Sequence, residues 1–279
     1  MSCKSYYALW GSTKNPSAGG CGGVCVYKYS CFSVSQVVLW LLFCIFESNV
    51  MDMEIRPIAH IRTEFPEKFG IPRQSGLADC LMGRIVFEKE YRNPDALREL
   101  NGFSHIWLIW SFSANRVSSQ WQPTVRPPRL GGNQHIGVFA TRSPFRPNPL
   151  GLSCVEIDSI DVDALEAPVI YVKGADLMDM TPIYDIKPYI RYSDSRPDAI
   201  CGYVDSLNEK HLDVFIPDRV RESVNDRELL ETLVKVLSLD PRPSYHDDPN
   251  REYGMSFSGY NVRFIVSGQL LTVCSITQI

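Results

Sequence analysis

Beyond about residue 50, the chain consists mainly of short apolar or alternating segments bounded by turn-forming residues. Glu54–Arg62 alternates apolar and polar positions, and Gly83–Glu88 follows a similar pattern, so each predicts a strand. Phe103–Phe112 is almost wholly apolar and too short for a bundle helix, which predicts a buried central strand. Leu152–Val162 and Pro168–Lys173 predict two further strands. Short strands without long intervening helices favour a β-barrel or a curled sheet.

The last quarter of the chain has a different pattern. Glu228–Leu237 places its apolar residues on one face at helical spacing, which predicts an amphipathic helix. A hairpin is expected from about Met255 to Thr277, and Ile200–Val204 is a possible closing strand of the barrel. We therefore predict a mainly β fold of the α+β class, with a β-barrel domain followed by a small α+β C-terminal lobe, in residues 51–205 and 206–279.

Two proline-rich segments between the predicted strands concentrate arginines. Trp121–Asn133 contains a Pro-Pro pair and ends in Gly-Gly-Asn, residues that tolerate the positive φ of a turn. Gly137–Ser153 contains three prolines, which fix φ and cannot donate to a β-ladder, so a stiff loop is expected. Together they place four arginines within 21 residues, namely Arg126, Arg129, Arg142 and Arg146. These arginines form either an anion-binding face or a set of solvated surface cations.

The overall charge makes this concentration more informative. The formal net charge is -4, and because the first 50 residues carry +2, the remaining chain carries -6. The field of an acidic protein repels a polyanion, so a nucleic acid has to bind such a protein through a local basic patch. Hydrophobic residues make up 44% of the chain and charged residues 22%, which is typical of a globular protein and excludes a disordered polyelectrolyte.

The sequence offers little support for a metal site or for the common nucleotide-binding motifs. Four of the nine cysteines lie beyond residue 50, scattered without a Cys-x-x-Cys pair, so we expect free thiols in a reducing cytoplasm and no metal. Cys21 and Cys25 lack a second pair at zinc-finger spacing. No Gly-x-Gly-x-x-Gly follows a predicted strand and no P-loop occurs, so a Rossmann cofactor site is not supported.

Four longer motifs follow one another in an order that a known family shares. They are TVRPPRLGGN, GVFATRSPFRPNPLGLS, GADLMDMTPIYDIKPYI and DPRPSY, and the similarity extends from about Ile55 to Phe264. In these motifs the chain resembles the TrmO family, formerly called YaeB or TsaA-like proteins. The resemblance implies a single-sheeted barrel that transfers a methyl group from S-adenosylmethionine to the exocyclic nitrogen of threonylcarbamoyl-adenosine, next to the anticodon of threonine tRNA. It also implies a homodimer.

The resemblance implies a cofactor pocket as well. Pro72-Arg73-Gln74 matches a family loop at this pocket, and the family places the cofactor against the turn Asp176–Asp179. A carboxylate there can accept hydrogen bonds from the cofactor's amino group or ribose, and its charge suits a sulfonium cation. Phe112-Ser113 stands where the family often has Phe-His, so no histidine role carries over. The expected cofactor-binding residues are Pro72, Arg73, Gln74, Phe112, Ser113, Arg142, Leu152, Asp176, Leu177, Met178 and Asp179.

Other residues are expected to contact the tRNA or to take part in catalysis. The nitrogen that receives the methyl group has to lose a proton, so a general base within hydrogen-bond reach is expected, with Tyr245 and Asp185 as candidates. Tyr245 lies in the loop DPRPSYHDD, which can close on an anticodon by stacking and phosphate contact. The residues expected to bind the anticodon arm are Arg126, Arg129, Arg146, Lys187 and Arg242.

Two alternatives and the first 50 residues complete the sequence-based picture. A non-catalytic RNA-binding protein would use the same arginines but would have no use for a cofactor pocket. The apolar run Val37–Phe46 has ten residues, whereas a membrane helix needs about 20, so a membrane-anchored protein is the weaker alternative. Because the similarity begins only after Met51 and Met53, we expect translation to start at one of them, with residues 1–50 an upstream extension; the alternative is a poorly ordered tail.

Overall fold

The structure is a computed structural model, and it describes four stretches of the chain: 53–115, 121–207, 211–243 and 248–279. The chain divides into two units, Met1–Glu54 and Ile55–Ile279, and the elements below belong to the second. The expectations for residues 1–50 lie outside the described residues. None of the helices in the described stretches has the length and hydropathy needed to cross a bilayer.

The described residues form strands and short helices, which are numbered here in chain order. The strands are β1 (Ala59–Arg62), β2 (Met82–Phe87), β3 (His105–Ser111), β4 (Thr124–Val125), β5 (Ile136–Gly137), β6 (Leu150–Asp161), β7 (Val169–Lys173), β8 (Thr181–Pro188), β9 (Asp213–Phe215), β10 (Tyr253–Phe257), β11 (Tyr260–Ser267) and β12 (Leu270–Gln278). The α-helices are α1 (Arg191–Asp194), α2 (Asp218–Arg221) and α3 (Arg227–Ser238).

Six strands close into a barrel with the order β1-β2-β7-β6-β3-β8, and every neighbouring pair is antiparallel. Closure pairs both edges of each strand, which removes the exposed edges of an open sheet. On β3 the side chains of Ile106, Leu108 and Trp110 are buried while those between them are only partly covered, as the two-residue period of a strand requires. The predicted fold class, a mainly β protein with a barrel, is confirmed.

The barrel core is aliphatic and draws on every strand of the barrel. Its buried members include Ile61, Ile85, Ile106, Val155, Ile170 and Ile183. Burial of each such side chain stabilises the fold by about 1.5–3 kcal/mol. This core fixes the strands, and the connections between strands carry the residues of the candidate site.

The C-terminal lobe packs α3 against the sheet β10-β11-β12-β9, in which only the β12–β9 pair is parallel. Helix α3 begins after Asp226, whose side chain accepts a hydrogen bond from a backbone N–H of the first turn at 3.0 Å. Leu233 and Leu237 of the helix are fully buried. Phe65, between β1 and β2, packs in the same core with its ring centroid 5.2 Å from that of Phe257. The lobe therefore holds one end of the segment that leads from β1 into the candidate site.

One local prediction was wrong and another was incomplete. Ile200–Val204 is not a strand, because Gly202 has a φ of 60° and begins a 3-10 helix, and β1 pairs with β8 to close the barrel instead. The predicted hairpin is present as β11 and β12, which pair antiparallel and turn after Ser267, and β10 extends it to a three-stranded meander through a two-residue turn in which Ser258 and Gly259 both adopt positive φ. The predicted domain boundary at residue 205 stays a prediction.

Candidate functional site

A cleft with a volume of about 490 Å³ lies where four segments of the chain meet. Residues 68–74 belong to the connection between β1 and β2, and residues 110–115 lie at the end of β3. The proline-rich segments Trp121–Asn133 and Gly137–Ser153 are called here the first and second arginine loops. Residues 141–152 belong to the second arginine loop and include the start of β6, and residues 176–181 lead from β7 into β8. The cleft is therefore built mostly from connections held by the barrel, where binding residues are commonly found.

Closure of the barrel brings distant parts of the sequence to this cleft. Its wall includes Pro72, Arg73, Gln74, Phe112, Ser113, Arg142, Leu152, Asp176 and Met178, which are nine of the predicted cofactor-binding residues. Leu177 and Asp179 are not on the wall. Leu177 is 1% exposed within the barrel core, and Asp179 Oδ1 accepts hydrogen bonds from Arg62 Nε at 2.9 Å and Thr63 N at 3.0 Å. Asp176 and Asp179, although three residues apart in one turn, therefore face different partners.

Among the described residues, the cleft wall carries four cationic side chains, namely Lys68, Arg73, Arg142 and Arg146. Arg142 Nη1 donates to Gln74 Oε1, which links the second arginine loop to the Pro72–Gln74 loop. Arg146 Nη1 donates to the carbonyl of Thr141 at 2.9 Å, so this arginine also braces its own loop. A cationic wall of this kind is suited to a carboxylate or phosphate group of a ligand.

Arg73 connects the cleft to the C-terminal lobe. Its Nη2 donates to the carbonyls of Asp240 at 3.2 Å and Arg242 at 3.0 Å. Partial burial and then the nearby charge of Arg129 lower the pKa of Arg73, which stays charged at neutral pH. Arg242 is itself 9% exposed, and its Nε and Nη2 donate to the Asp240 carboxylate at 2.8 and 3.0 Å. The predicted contact of Arg242 with RNA stays a prediction.

Trp110, an aromatic residue that the sequence did not indicate as a cofactor contact, forms another part of the wall beside the predicted Phe112. Trp110 lies on the cleft, and its ring centroid is 4.4 Å from that of Phe112. The indole lies directly over Gly151, where a Cβ atom would come within 2.6 Å of its Cδ2 atom. The sequence carried a signal for Trp110 and for Gly151. Trp110 occupies an inward position of the apolar strand β3, and Gly151 follows the last proline of the segment Gly137–Ser153.

Asp176 is the only carboxylate among the described residues of the wall. Its Oδ1 accepts a hydrogen bond of 2.6 Å from Ser153 Oγ, and Ser153 Oγ accepts one of 3.0 Å from Trp110 Nε1. Burial raises the pKa of the Asp176 carboxyl, while the hydrogen bond from Ser153 and the charge of Arg142 oppose the rise. The cleft thus places one hydrogen-bonded carboxylate opposite several cations.

Comparisons with known proteins identify the family to which this cleft belongs. The tRNA-methyltransferase O N-terminal domain model matches residues 60–195, and the TrmO C-terminal domain model matches residues 209–279. The chain belongs to the TrmO family. The predicted family and its class, S-adenosylmethionine-dependent tRNA methyltransferases, are confirmed.

Individual TrmO-related proteins agree with this assignment. The tRNA (adenine(37)-N6)-methyltransferase of Escherichia coli K12 is 38% identical over 221 residues, which cover 77% of this chain and 93% of that protein. The human protein of the same name is 37% identical over 141 residues, covering 50% of this chain and 30% of that protein. A crystal structure of TrmO from P. aeruginosa superposes with a TM-score of 0.68 at 29% identity, covering 83% of this chain and 99% of that chain.

The donor set of the cleft fits the cofactor that the TrmO family implies. S-adenosylmethionine combines a carboxylate, two cationic centres and an aromatic adenine base. Arg142 and Arg146 are matched to the carboxylate, and Asp176 to a cationic centre. Trp110 and Phe112 offer aromatic surface for the adenine. These residues therefore have the chemistry to hold the cofactor.

The remaining predicted TrmO residues lie in several places. Exposed Arg126 donates from Nε to His135 Nε2 at 3.0 Å, and Arg129 is half-buried. Lys187 is exposed but pairs with Asp185 at 2.8 Å between Nζ and Oδ2. Asp185, a candidate base, is not on the cleft wall, which β8 reaches at Thr181, and its carboxylate pairs with Lys187. Tyr245, the other candidate base, lies outside the described residues.

Proposed function

We propose that this protein transfers a methyl group from S-adenosylmethionine to the exocyclic nitrogen of adenosine 37 in tRNA. The observation that carries the proposal is the cleft, in which Asp176 and aromatic surface stand among four cationic side chains. The names of the E. coli and human relatives, both tRNA (adenine(37)-N6)-methyltransferases, support the reaction class. As the finer substrate we propose adenosine that already carries a threonylcarbamoyl group, in threonine tRNA.

The protein's contribution to this reaction is binding and orientation. S-adenosylmethionine brings a methyl group that its sulfonium already activates. Fixing both reactants in one geometry supplies much of the rate enhancement of such a transfer. Arg142 and Arg146 would hold the carboxylate end of the cofactor, Asp176 would hold its cationic part, and Trp110 and Phe112 would cover the adenine. The apolar surface also restricts water in the cleft.

The proton lost by the accepting nitrogen needs a base. Asp185 is committed to Lys187 and lies off the cleft wall, which leaves Tyr245 as the proposed base among the two candidates. The replacement Tyr245→Phe removes only the hydroxyl, so it should slow turnover while leaving cofactor affinity unchanged. Turnover equal to that of the wild type would exclude the role.

The anticodon arm of the tRNA is proposed to lie across the two arginine loops. Exposed Arg126 and half-buried Arg129 belong to the first loop, and Arg146 joins the second loop to the cleft. Lys187 extends this basic set on the barrel surface. The acidic charge of the rest of the chain supports a localised contact of this kind, because phosphate contacts depend on local positive charge.

We also propose a homodimer that works in the cytoplasm. Large aromatic side chains beside the arginine loops, Trp121, Phe139 and Phe145, are 49%, 71% and 60% exposed, and such surface is a common feature of interfaces. Free thiols at the four cysteines beyond residue 50 agree with a reducing compartment. Light scattering that gives a mass of 31.6 kDa, the mass of one chain, would contradict the dimer.

Calorimetric titration of the full chain with S-adenosylmethionine tests the proposed site. Asp176→Asn keeps the shape of the side chain and removes its charge, so binding should weaken by about tenfold or more. Asp158→Asn is the matched control, since Asp158 pairs with Lys173 at 2.6 Å and is not on the cleft wall. If a folded wild-type protein binds tRNA but not the cofactor, the alternative of a non-catalytic RNA-binding protein is correct instead.

A further inference from the structure

Among the described residues, Ser153 is the one polar side chain that links the barrel interior, through Trp110, to the Asp176 carboxylate of the cleft. It is 1% exposed, and its hydroxyl makes two hydrogen bonds, accepting from Trp110 Nε1 at 3.0 Å and donating to Asp176 Oδ1 at 2.6 Å. A hydroxyl has a single hydrogen. Because the indole N–H can only donate, the hydrogen of Ser153 is committed to Asp176.

The strand register explains why these three groups meet. In the β3–β6 pair Trp110 lies opposite Gly151, and Ser153 is two residues further along β6 on the same face. Since Gly151 has no Cβ, the indole lies flat across it and its N–H reaches Ser153. The contact thus follows from the backbone pairing and from one glycine, and does not depend on a flexible side chain.

The surroundings of Asp176 contain charges of one sign. In the described part of the chain, the groups that face Asp176 from the adjoining segments are neutral donors or cations: Ser153 from β6, the backbone N–H of Ser75, and Arg142 from the second arginine loop. The other ionisable groups on the described cleft wall are Lys68, Arg73 and Arg146, all cationic. Asp176 therefore provides the wall's only negative charge in the described part of the chain.

We propose that Ser153 is a positioning residue, which fixes the Asp176 carboxylate in the ionised, correctly rotated state that binds the cationic part of S-adenosylmethionine. The inference rests on the proposed function. Ser153 does not itself line the cleft, so it acts on the cofactor only through Asp176. A hydrogen bond to a charged acceptor contributes more than one between neutral groups, and the short Ser153–Asp176 distance is typical of such a bond.

A double-mutant cycle tests this role by calorimetry with S-adenosylmethionine on the full chain. Ser153→Ala should weaken cofactor binding about tenfold or more in the wild-type background. In the Asp176→Asn background the same replacement should change the affinity by less than about twofold, because the group through which Ser153 acts is gone. Ser159→Ala on the same strand is the matched control, since exposed Ser159 contacts Asp158 and not the cleft.

The pH dependence of binding supplies a readout that loss of packing alone does not move. Without the Ser153 hydrogen bond the pKa of Asp176 rises further, so the pH below which cofactor affinity is lost should shift upward in Ser153→Ala. Ser153→Thr keeps the hydroxyl and should restore the wild-type profile. Urea unfolding of each variant establishes that the protein under study is folded.

The outcomes separate the inference from the proposed function. If the wild-type protein fails to bind S-adenosylmethionine, both are wrong. If the wild type binds and Ser153→Ala weakens binding equally in both backgrounds, or without a shift in the pH profile, Ser153 is a packing residue only. Unchanged binding by Ser153→Ala likewise overturns the inference and leaves the proposed function intact.

Discussion

Replacement of Gly151 by alanine tests whether the wall of the cleft depends on the close contact between β3 and β6. A methyl group at this position would come within 2.6 Å of Cδ2 of the Trp110 indole and closer still to Cε2 and Cζ2. Ordinary carbon contacts are about 3.5–4.0 Å, so the ring has to move by roughly 1 Å. The indole is 8% exposed and packed against Phe112, which leaves it little room.

The cost has two parts that the structure identifies. Overpacking a filled core costs about 1–3 kcal/mol, and separating Trp110 from Ser153 leaves a buried hydrogen bond unmade at about 1–3 kcal/mol. We therefore expect Gly151→Ala to lower the free energy of unfolding by about 2–6 kcal/mol in urea titrations. Cofactor affinity should fall as well, because the same shift moves the aromatic wall and releases Ser153.

Gly137→Ala provides the control. No atom lies within 4 Å of a Cβ built at Gly137, and its φ of -55° is open to any residue. This variant should change the free energy of unfolding by less than about 0.5 kcal/mol, as surface replacements usually do. The reasoning is refuted if Gly151→Ala and Gly137→Ala are equally stable and bind S-adenosylmethionine equally well.

Three further predictions concern the rest of the molecule. Asp226→Ala removes the N-terminal cap of α3 and should cost about 1 kcal/mol in urea unfolding; no change would mean that the cap contributes nothing. Burial, followed by the charge of Asp226, raises the pKa of Glu64, so its ionised form is disfavoured in the folded state. Its contribution to stability is thus present at low pH and lost as pH rises from 4.5, the ordinary pKa of a glutamate, through the raised pKa. Glu64→Gln should therefore become progressively more stable than the wild type over that window, and a pH-independent difference would contradict this. Arg126→Gln should weaken tRNA binding and reduce the slope of log affinity against log salt by about 1, whereas Arg98→Gln, which removes a distant surface ion pair with Asp95, should leave the slope unchanged.

Periodicity predicted five of the six barrel strands, because the hydrophobic pattern of each is local, but it did not predict β8, which follows the Asp176–Asp179 turn. The run from Phe103 to Phe112 is apolar at both alternating positions, and β3 is indeed paired on both edges. The helix over Glu228–Leu237 was equally clear from its single apolar face, and the structure extends it by one residue at each end. Family motifs brought nine cleft residues together that periodicity alone does not connect.

The details that sequence did not supply depend on partners distant in the chain. Two residues of one turn can face different sites, as Asp176 and Asp179 do. Asp176 lines the cleft, whereas Asp179 accepts a hydrogen bond from Arg62 of β1. Arg242 lies in a polar loop, yet Asp240 and the connection to Arg73 bury it. Ser153 ends the motif GVFATRSPFRPNPLGLS, but the motif does not indicate its partners, which follow from the register between β3 and β6.

The most direct test of the account is methyl transfer to defined tRNA. Wild-type full-length protein is supplied with S-adenosylmethionine carrying a labelled methyl group and with threonine tRNA prepared either with or without threonylcarbamoyl at adenosine 37. Nucleoside mass spectrometry then locates the label. The account predicts one methyl group on the exocyclic nitrogen of adenosine 37 in the modified tRNA and none in the unmodified tRNA. Equal labelling of both, labelling at another position, or no transfer by folded protein that binds the cofactor would contradict it.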